Sequence, residues 1–287
     1  MTGTERVSGR SGLEITVMHS SGGAMYRFDE DINFRQTGPN LFSGAISTNW
    51  SINGIPNGGY LITIMASAMM KFSDRSSTPI VTANYLSRCA PGEALVSVES
   101  IAESKQFRRL EARLTQGGNE KIRALGTFAD GKLECFLKQY ESEPPQIAPP
   151  DECVKVPALP GYTLFENADV RLDPGSAGWL TGAKAEKSEQ RGWIRFTDRR
   201  LPDALSVILA ADAFPPAVFV SKGPLGWVPT VEFSVSLREM PATEWLCGVF
   251  RTRFVNCGLL EEDGEIWDQS GEVVAVSRQI AQFRPAG

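Results

Sequence analysis

The sequence is short of histidine, because His19 is the single one among 287 residues. A Ser-His-Asp triad or a Cys-His pair needs a base beside its nucleophile, and His19 lies in a serine- and glycine-rich stretch where we expect a surface position. The five cysteines are scattered without CxxC spacing, which excludes a zinc site built from histidines or paired cysteines. We therefore expect no metal and no histidine-based catalysis.

The sequence also lacks a basic excess and a long apolar run. Its 29 lysine and arginine residues against 34 acidic ones leave no surplus charge to neutralise phosphates, which argues against nucleic acid as a partner. The longest apolar run, around residues 61–70, is far below the ~20 residues of a membrane span. Residues 1–10 lack the apolar core of a signal peptide. With free, buried cysteines expected as well, we predict a cytoplasmic protein.

Proline is abundant near the middle of the chain. Six prolines lie between residues 141 and 160, which is enough to forbid a helix or a central strand there. We interpret residues 141–160 as a linker between an N-terminal half, residues 1–140, and a C-terminal half, residues 161–287.

Both halves predict the same order of elements, which indicates an internal repeat. Each has two strands, one helix and four further strands, with turn glycines before the last strand. In the first half the helix is Asn57–Phe72 and the strands are Met25–Phe34, Leu41–Asn49, Ile80–Arg88, Ala94–Glu103, Phe107–Gln116 and Lys121–Ala129. In the second half the helix is Pro202–Phe214 and the strands are Thr163–Leu172, Gly192–Thr197, Val228–Arg238, Trp245–Val255, Leu259–Trp267 and Glu272–Phe283.

The first helix is apolar nearly all round between Leu61 and Met69. A helix of this kind is buried rather than laid on a surface. One buried helix in each half, wrapped by an antiparallel sheet, is the hot-dog arrangement. The predicted fold class is therefore α+β, a double hot-dog made of two tandem hot-dog folds.

Asp212 is the first candidate for chemistry. It stands at helical spacing from Leu205 and Ile208, so its carboxylate would fall on the apolar stripe of the second helix. It also lies near the C-terminus of that helix, where the macrodipole disfavours negative charge. Local conflicts of this kind concentrate at functional sites. The alternative is that the helix ends earlier and that Asp212 only caps the turn before Pro215.

Thr230 and Gln279 are further candidates on two later strands. Strand alternation puts Thr230 on the face opposite Phe233, and Glu232 on the same face is a rival carboxylate. Gln279 shares its face with small residues, which leaves room beside an amide that needs partners at both ends when buried. Taken singly, each position is also explained by an ordinary structural role.

The segment Asn57-Gly58-Gly59-Tyr60 opens the first helix. Two glycines there leave backbone N–H groups unshielded at the positive end of the helix dipole, where they can stabilise an oxyanion. Gly58, Gly59 and Tyr60 are therefore candidates for oxyanion and substrate binding. Tight packing at the helix entrance explains the glycines equally well. No phosphate-loop or dinucleotide fingerprint accompanies them, so we expect no cofactor.

Several segments resemble the acyl-CoA thioesterase II family. In the second half they are Trp193–Arg195, Leu209–Pro215, Pro229–Val235, Glu244–Leu246, Asp263–Trp267 and Gly271–Gln279, the last two being the most specific. In the first half the resemblance is thinner and rests mainly on Asn57-Gly58-Gly59-Tyr60 and the strands after it. The family has a double hot-dog fold and hydrolyses acyl-CoA thioesters with water that an Asp, a Thr and a Gln orient and activate.

The resemblance implies catalytic roles for Asp212, Thr230 and Gln279. The sequence departs from the family pattern where Glu232-Phe233 replaces Asp-His, and where Ser236-Leu237-Arg238 replaces an aromatic, histidine-bearing stretch. These departures concern the acyl specificity more than the chemistry. The first helix has no carboxylate between Tyr60 and Phe72, so we expect one active site per chain.

The predicted function is hydrolysis of acyl-CoA to free fatty acid and CoA, as part of fatty acid metabolism. A non-catalytic acyl-CoA or lipid-binding hot-dog protein is the main alternative, and its polar trio would be structural. A hot-dog hydratase is less favoured because such sites are built on a histidine. A partner-interaction domain is a further alternative. Exposed sheet edges lead us to expect a homo-oligomer.

Overall fold

The computed structural model describes residues 25–75, 77–129, 136–224 and 226–285. His19 and Cys135, and the predictions made for them, lie outside these residues. The strands of the first half are β1 (Arg35–Gly38), β2 (Leu41–Ile46), β3 (Ser51–Ile52), β4 (Ile55–Pro56), β5 (Ser77–Tyr85), β6 (Gly92–Glu103), β7 (Phe107–Gln116) and β8 (Asn119–Ala129).

The second half follows with ten further strands in the described part of the chain. They are β9 (Val154–Lys155), β10 (Ala168–Leu172), β11 (Ser188–Phe196), β12 (Gly226–Trp227), β13 (Thr230–Leu237), β14 (Leu246–Thr252), β15 (Val255–Asn256), β16 (Leu259–Asp268), β17 (Val273–Gln282) and β18 (Arg284–Pro285). The helices are α1 (Arg27–Asp31), α2 (Gly58–Ser73), α3 (Leu164–Asn167), α4 (Ala204–Ala210) and α5 (Val218–Lys222), with a 3-10 turn at Gly178–Thr181.

One long antiparallel sheet runs through both halves. Its strand order is β1-β2-β6-β7-β8-β5-β13-β17-β16-β14-β11-β10-β9, so β5 and β13 join the halves at its centre. Thr82 faces Ser234 across that junction, and their hydroxyl oxygens lie 2.8 Å apart. The sheet wraps the buried helices α2 and α4, as predicted for a tandem α+β arrangement.

Helix α2 is fixed by its two ends and by the core around it. The Asn57 side chain accepts the N–H of Tyr60, and Asp74 ends the helix in the left-handed conformation. Residues from Gly59 to Met69 are buried on every side. The helix α4 begins with a capping box in which the side chains of Asp203 and Ser206 bond each other's backbone N–H groups.

Several predicted elements are wrong in kind or extent. The strand predicted at Met25–Phe34 contains α1 instead, because Phe28 and Ile32 turn one helical face into the core, and acidic residues favour its first turn. The strand predicted at Thr163–Leu172 begins as α3 and becomes β10 only at Ala168. The helix predicted at Pro202–Phe214 ends at Ala210.

Residues 141–160 run mainly without regular structure, and they follow the edge of the sheet in the second half. Val154 and Lys155 pair with β10, the Trp193 indole donates to the carbonyl of Ala148 at 2.8 Å, and Arg171 donates to the carbonyl of Pro150 at 2.9 Å. The proline-rich segment thereby covers an edge that would otherwise present unpaired backbone groups.

The four cysteines in the described residues are free. Cys89 and Cys247 are buried, as expected, whereas Cys153 is half-buried and Cys257 is exposed. Among the described helices, none combines the length and the apolar character needed to cross a bilayer.

The two halves differ at one matched position of their hairpins. Gly126 lies eight residues beyond the turn glycine Gly118, just as Gln279 lies eight residues beyond Gly271. A Cβ atom on Gly126 would clash with the Phe128 ring and would lie 2.6 Å from the Met69 sulfur. The position that Gln279 occupies in the second half therefore has no room for a side chain at the matching residue of the first half, Gly126.

We predict that Gly126→Ala destabilises the protein by about 1–3 kcal/mol, because the added methyl overpacks the core at this point. The measurement is the free energy of unfolding from denaturant titration. Gly38→Ala is the matched control, since a Cβ there meets only the Leu41 Cβ, at 3.4 Å, and should change stability by less than about 0.5 kcal/mol. Equal stabilities for the two variants would contradict the packing argument.

Candidate active site

A cleft of about 740 Å³ opens between the two halves. Its walls come from the start of α2, the turn after α4, the start of β13 and the strands β16 and β17. Most of the lining is apolar, and the polar groups converge at one place. That place contains Asn57, Gly58, Asp212, Thr230 and Gln279.

Asp212 lies just beyond α4 rather than inside it. The helix ends at Ala210, and the N–H of Asp212 bonds the carbonyl of Leu209 at 3.0 Å in a tight turn. The predicted conflict with the helix dipole is thus smaller, and the earlier end of the helix was the correct alternative. The side chain nevertheless points to the cleft, where it meets the N-terminus of α2 from the other half.

Three donors hold the Asp212 carboxylate. The N–H of Gly59 donates to Oδ2 at 2.7 Å, and the Asn57 amide donates to the same oxygen at 3.1 Å. The Gln279 amide nitrogen donates to Oδ1 at 3.2 Å. Asn57 also donates to the backbone carbonyl of Asp212 at 2.9 Å. The first half therefore fixes one carboxylate oxygen, and the second half contacts the other.

Gln279 joins Asp212 to Thr230, since its amide nitrogen also donates to the Thr230 hydroxyl. A β-bulge at Val231 makes this contact possible: Thr230 pairs with Ala281, while the next paired residue is Glu232. The bulge adds one residue and moves Thr230 to the inward face. The predicted strand faces were wrong here, because Glu232 does not line the cleft and Thr230 does.

The three residues predicted for oxyanion and substrate binding, Gly58, Gly59 and Tyr60, differ in whether their N–H groups have partners. The N–H of Gly59 is taken by Asp212, and a Cβ on Gly59 would lie 2.8 Å from the Asp212 Cβ, so only glycine fits. The N–H of Tyr60 bonds Asn57 and its hydroxyl donates to the carbonyl of Asp31, which leaves neither for a substrate. Both polar groups of Tyr60 therefore have partners within the described residues. Gly58 lines the cleft, and as the first helical residue it has no partner for its N–H inside the helix.

The electrostatics of the site favour a carboxylate that takes up protons near neutral pH. Burial raises the pKa of Asp212 to about 6, although the hydrogen bonds from Gly59 and Asn57 lower it. Burial, together with the nearby charge of Asp212, raises the pKa of Glu262 to about 8, although the hydrogen bond from the N–H of Ala217 lowers it. One carboxylate is thus poised as a base, while the other keeps its proton at neutral pH.

Three residues of the site were missed as candidates. The Asn57 side chain caps α2 and holds Asp212, a double role that its N-cap position indicates only in part. Tyr85 donates its hydroxyl to the carbonyl of Gly58 at 2.8 Å, and nothing in the sequence pattern marks it. Glu262 was detectable, because it is a charged residue on the inward-facing positions of an alternating strand, between Leu260 and Gly264.

The fold and this site define a tandem hot-dog protein with an Asp–Thr–Gln cluster at the junction of its halves. Residues 46–129 match the Acyl-CoA thioesterase N-terminal domain, and residues 150–283 match the Acyl-CoA thioesterase C-terminal domain. The chain therefore belongs to the acyl-CoA thioesterase family, and the family resemblance of the sequence is confirmed.

Individual relatives agree with this placement. The chain is 30% identical to the thioesterase-like protein TwmA of Talaromyces wortmannii, over 92% of this chain and 93% of the relative. A Thermobifida fusca structure assigned as a thioesterase II superposes with TM-score 0.83 at 25% identity, covering 91% of this chain and 98% of its own. A hot-dog-fold protein of unknown function from Alicyclobacillus acidocaldarius gives TM-score 0.82 at 21% identity, covering 92% and 100%. The predicted double hot-dog fold is confirmed.

We predict that Asn57→Ala raises the pKa of Asp212 above that of the wild type, because the ionised carboxylate loses a hydrogen-bond donor. Carbon-13 NMR titration of labelled aspartate carboxyl groups measures the shift. The variant should also lose about 1 kcal/mol of stability with its helix cap. An unchanged titration of Asp212 in a folded variant would contradict the geometry.

Proposed function

We propose that this protein hydrolyses acyl-CoA thioesters to free fatty acid and CoA. The observation that carries the proposal is the hydrogen-bonded cluster of Asp212, Thr230 and Gln279 in a large apolar cleft at the N-terminus of a buried helix. The free thiols of Cys89 and Cys247 fit a reducing compartment. We therefore place the activity in the cytoplasm, in fatty acid metabolism, and expect a homo-oligomer.

The attacking water is held by the cluster. It donates one hydrogen to Asp212 Oδ1, while the Thr230 hydroxyl and the Gln279 side-chain carbonyl keep its oxygen directed at the thioester carbon. As the new C–O bond forms, the proton passes from water to Asp212. General-base assistance of this kind contributes roughly 10²–10⁴-fold. No covalent nucleophile is needed, and the described residues that line the cleft include no histidine to activate one.

The developing oxyanion is held by the N–H of Gly58. This group lies at the positive end of α2, and Tyr85 fixes the same peptide segment through the carbonyl of Gly58. A preorganised backbone donor contributes about 3 kcal/mol to such a step. The tetrahedral intermediate then breaks its C–S bond, and the CoA thiolate leaves with the proton held by Asp212.

The cleft suits the two parts of the substrate. Ile52, Leu61, Phe165, Leu180 and Phe219 line an apolar space for the acyl chain. Arg88 is the only basic residue among the described lining residues, and its exposed side chain is available to the anionic phosphates of CoA.

We predict that Asp212→Asn lowers kcat for acyl-CoA hydrolysis by roughly 10²–10⁴-fold, because the water loses its base. Thiol release with acyl-CoAs from acetyl to palmitoyl measures the effect. Glu232→Gln is the matched control, since this carboxylate does not line the cleft, and it should retain wild-type activity. Equal turnover of Asp212→Asn and wild type would refute the assignment. Binding of acyl-CoA by the wild type without any thiol release would establish the non-catalytic alternative.

We predict that kcat/KM rises with pH through about 6 and levels off above it. Asp212, whose pKa is raised to about 6, must be ionised to accept the proton, so its protonation on the acid side removes the base. Initial rates between pH 4.5 and 8, corrected for spontaneous hydrolysis, provide the profile. A flat profile across this range would contradict the role of Asp212 as the base.

A further inference from the structure

Glu262 is a buried carboxyl group that the mechanism above does not use. It lies on β16, is 9% exposed, and lines the cleft. Its Oε2 accepts the N–H of Ala217 at 2.6 Å, whereas its Oε1 has no hydrogen-bond partner among the described residues. Oε1 is not among the fully buried unpaired atoms of the described residues, so it opens on the cleft that Glu262 lines. A polar atom exposed in a mostly apolar cleft wall is a group that a bound ligand can meet with a hydrogen bond.

The position of Glu262 relative to the cluster is set by strand pairing. Glu262 lies opposite Gln279 in the β16–β17 ladder, and such neighbours have Cβ atoms about 4.5–5.5 Å apart on the same face. Gln279 in turn contacts Asp212 and Thr230. A group that bonds Glu262 must therefore lie within a few bond lengths of the reacting carbonyl.

The surroundings of Glu262 belong to the acyl side of the cleft. Phe214, Phe219 and Phe250 line the cleft together with it, and the rings of Phe214 and Phe250 pack in a tilted arrangement at a centroid distance of 4.9 Å. Basic side chains that would receive CoA phosphates are absent from this described part of the lining. The neighbouring acid is Asp212, which carries the negative charge of the pair, so Glu262 retains its proton and is a hydrogen-bond donor.

We propose that Glu262 is a specificity-determining residue that donates a hydrogen bond to a hydroxyl or oxo oxygen near the carboxyl end of the acyl chain. The preferred substrates are then oxygenated acyl-CoAs rather than plain fatty acyl-CoAs. This inference rests on the proposed thioesterase activity. The oxygen lies within the first few carbons of the chain, because Glu262 adjoins Gln279.

The selectivity follows from desolvation. A plain alkyl chain displaces water from Glu262 and leaves its free oxygen buried and unpaired, which costs about 1–3 kcal/mol. An acyl chain with a correctly placed oxygen restores the bond. Sites that hydrogen-bond a substrate hydroxyl discriminate strongly against analogues that lack it. The pair Leu110–Gly126 in the first half matches the pair Glu262–Gln279 in the second, so the described residues of the first half offer no donor at this position.

The test compares kcat/KM for hydroxylated and plain acyl-CoAs of equal length, such as 3-hydroxyoctanoyl-CoA and octanoyl-CoA, together with the 2- and 4-hydroxy isomers. The wild type should prefer one hydroxylated isomer by about tenfold or more. Glu262→Met should abolish the preference, and Glu262→Gln, which retains a donor and an acceptor for Ala217, should keep it. Glu261→Gln, on the opposite face of β16, is the control and should leave the preference intact.

Two results would overturn the proposal: hydrolysis by the wild type with no preference among the isomers, or a preference that persists in Glu262→Met. The wild-type isomer series decides the question even where Glu262→Met does not fold. Failure of the proposed function is distinguishable, because calorimetric binding of the same acyl-CoAs to Asp212→Asn reports the preference without turnover. Selective binding without hydrolysis would refute the thioesterase proposal alone, whereas binding without selectivity would refute the role of Glu262.

Discussion

The hydrogen bond from the N–H of Gly59 to Asp212 is the contact on which the site depends. It joins the first turn of α2 in one half to the turn after α4 in the other, at 2.7 Å. Because Asp212 has no cationic partner among the described residues, backbone and amide donors from the first half offset its burial. The site therefore exists only when both halves are docked, and the central pairing of β5 with β13 sets their relative position.

Much of this arrangement could be predicted from the sequence. The spacing of apolar residues in α2 and their alternation in the long strands follow from which faces are buried, and this spacing is visible in the sequence. The strand β7 accordingly occupies Phe107–Gln116 as predicted. The roles of Asp212, Thr230 and Gln279 came from resemblance rather than pattern. Strand alternation alone put Thr230 on the wrong face, because a bulge at Val231 depends on the pairing of two strands distant in sequence.

The errors share one physical origin, which is contact between distant segments. The segment at Arg27–Asp31 is helical because Phe28 packs against Trp50 and Phe196, at centroid distances of 5.4 and 5.0 Å. Tyr60 stands in the right motif, yet its hydroxyl is committed to the carbonyl of Asp31. In contrast, Glu262 breaks a purely local pattern, and its significance depends only on knowing that it faces the cleft.

In the described residues the Asp–Thr–Gln cluster is built on the second half alone, and the lengths of the two helices explain this asymmetry. Helix α2 has 16 residues and α4 has 7, so only the second half ends its helix early enough to place a carboxylate in a turn beside the opposing N-terminus. In the first half α2 continues past the matching point, and Met69 fills the space next to Gly126. A second copy of the cluster would need a shorter α2, which would remove part of the buried core. The length of α2 therefore stabilises the core of the first half, whereas the shorter α4 leaves room for the Asp–Thr–Gln cluster in the second half.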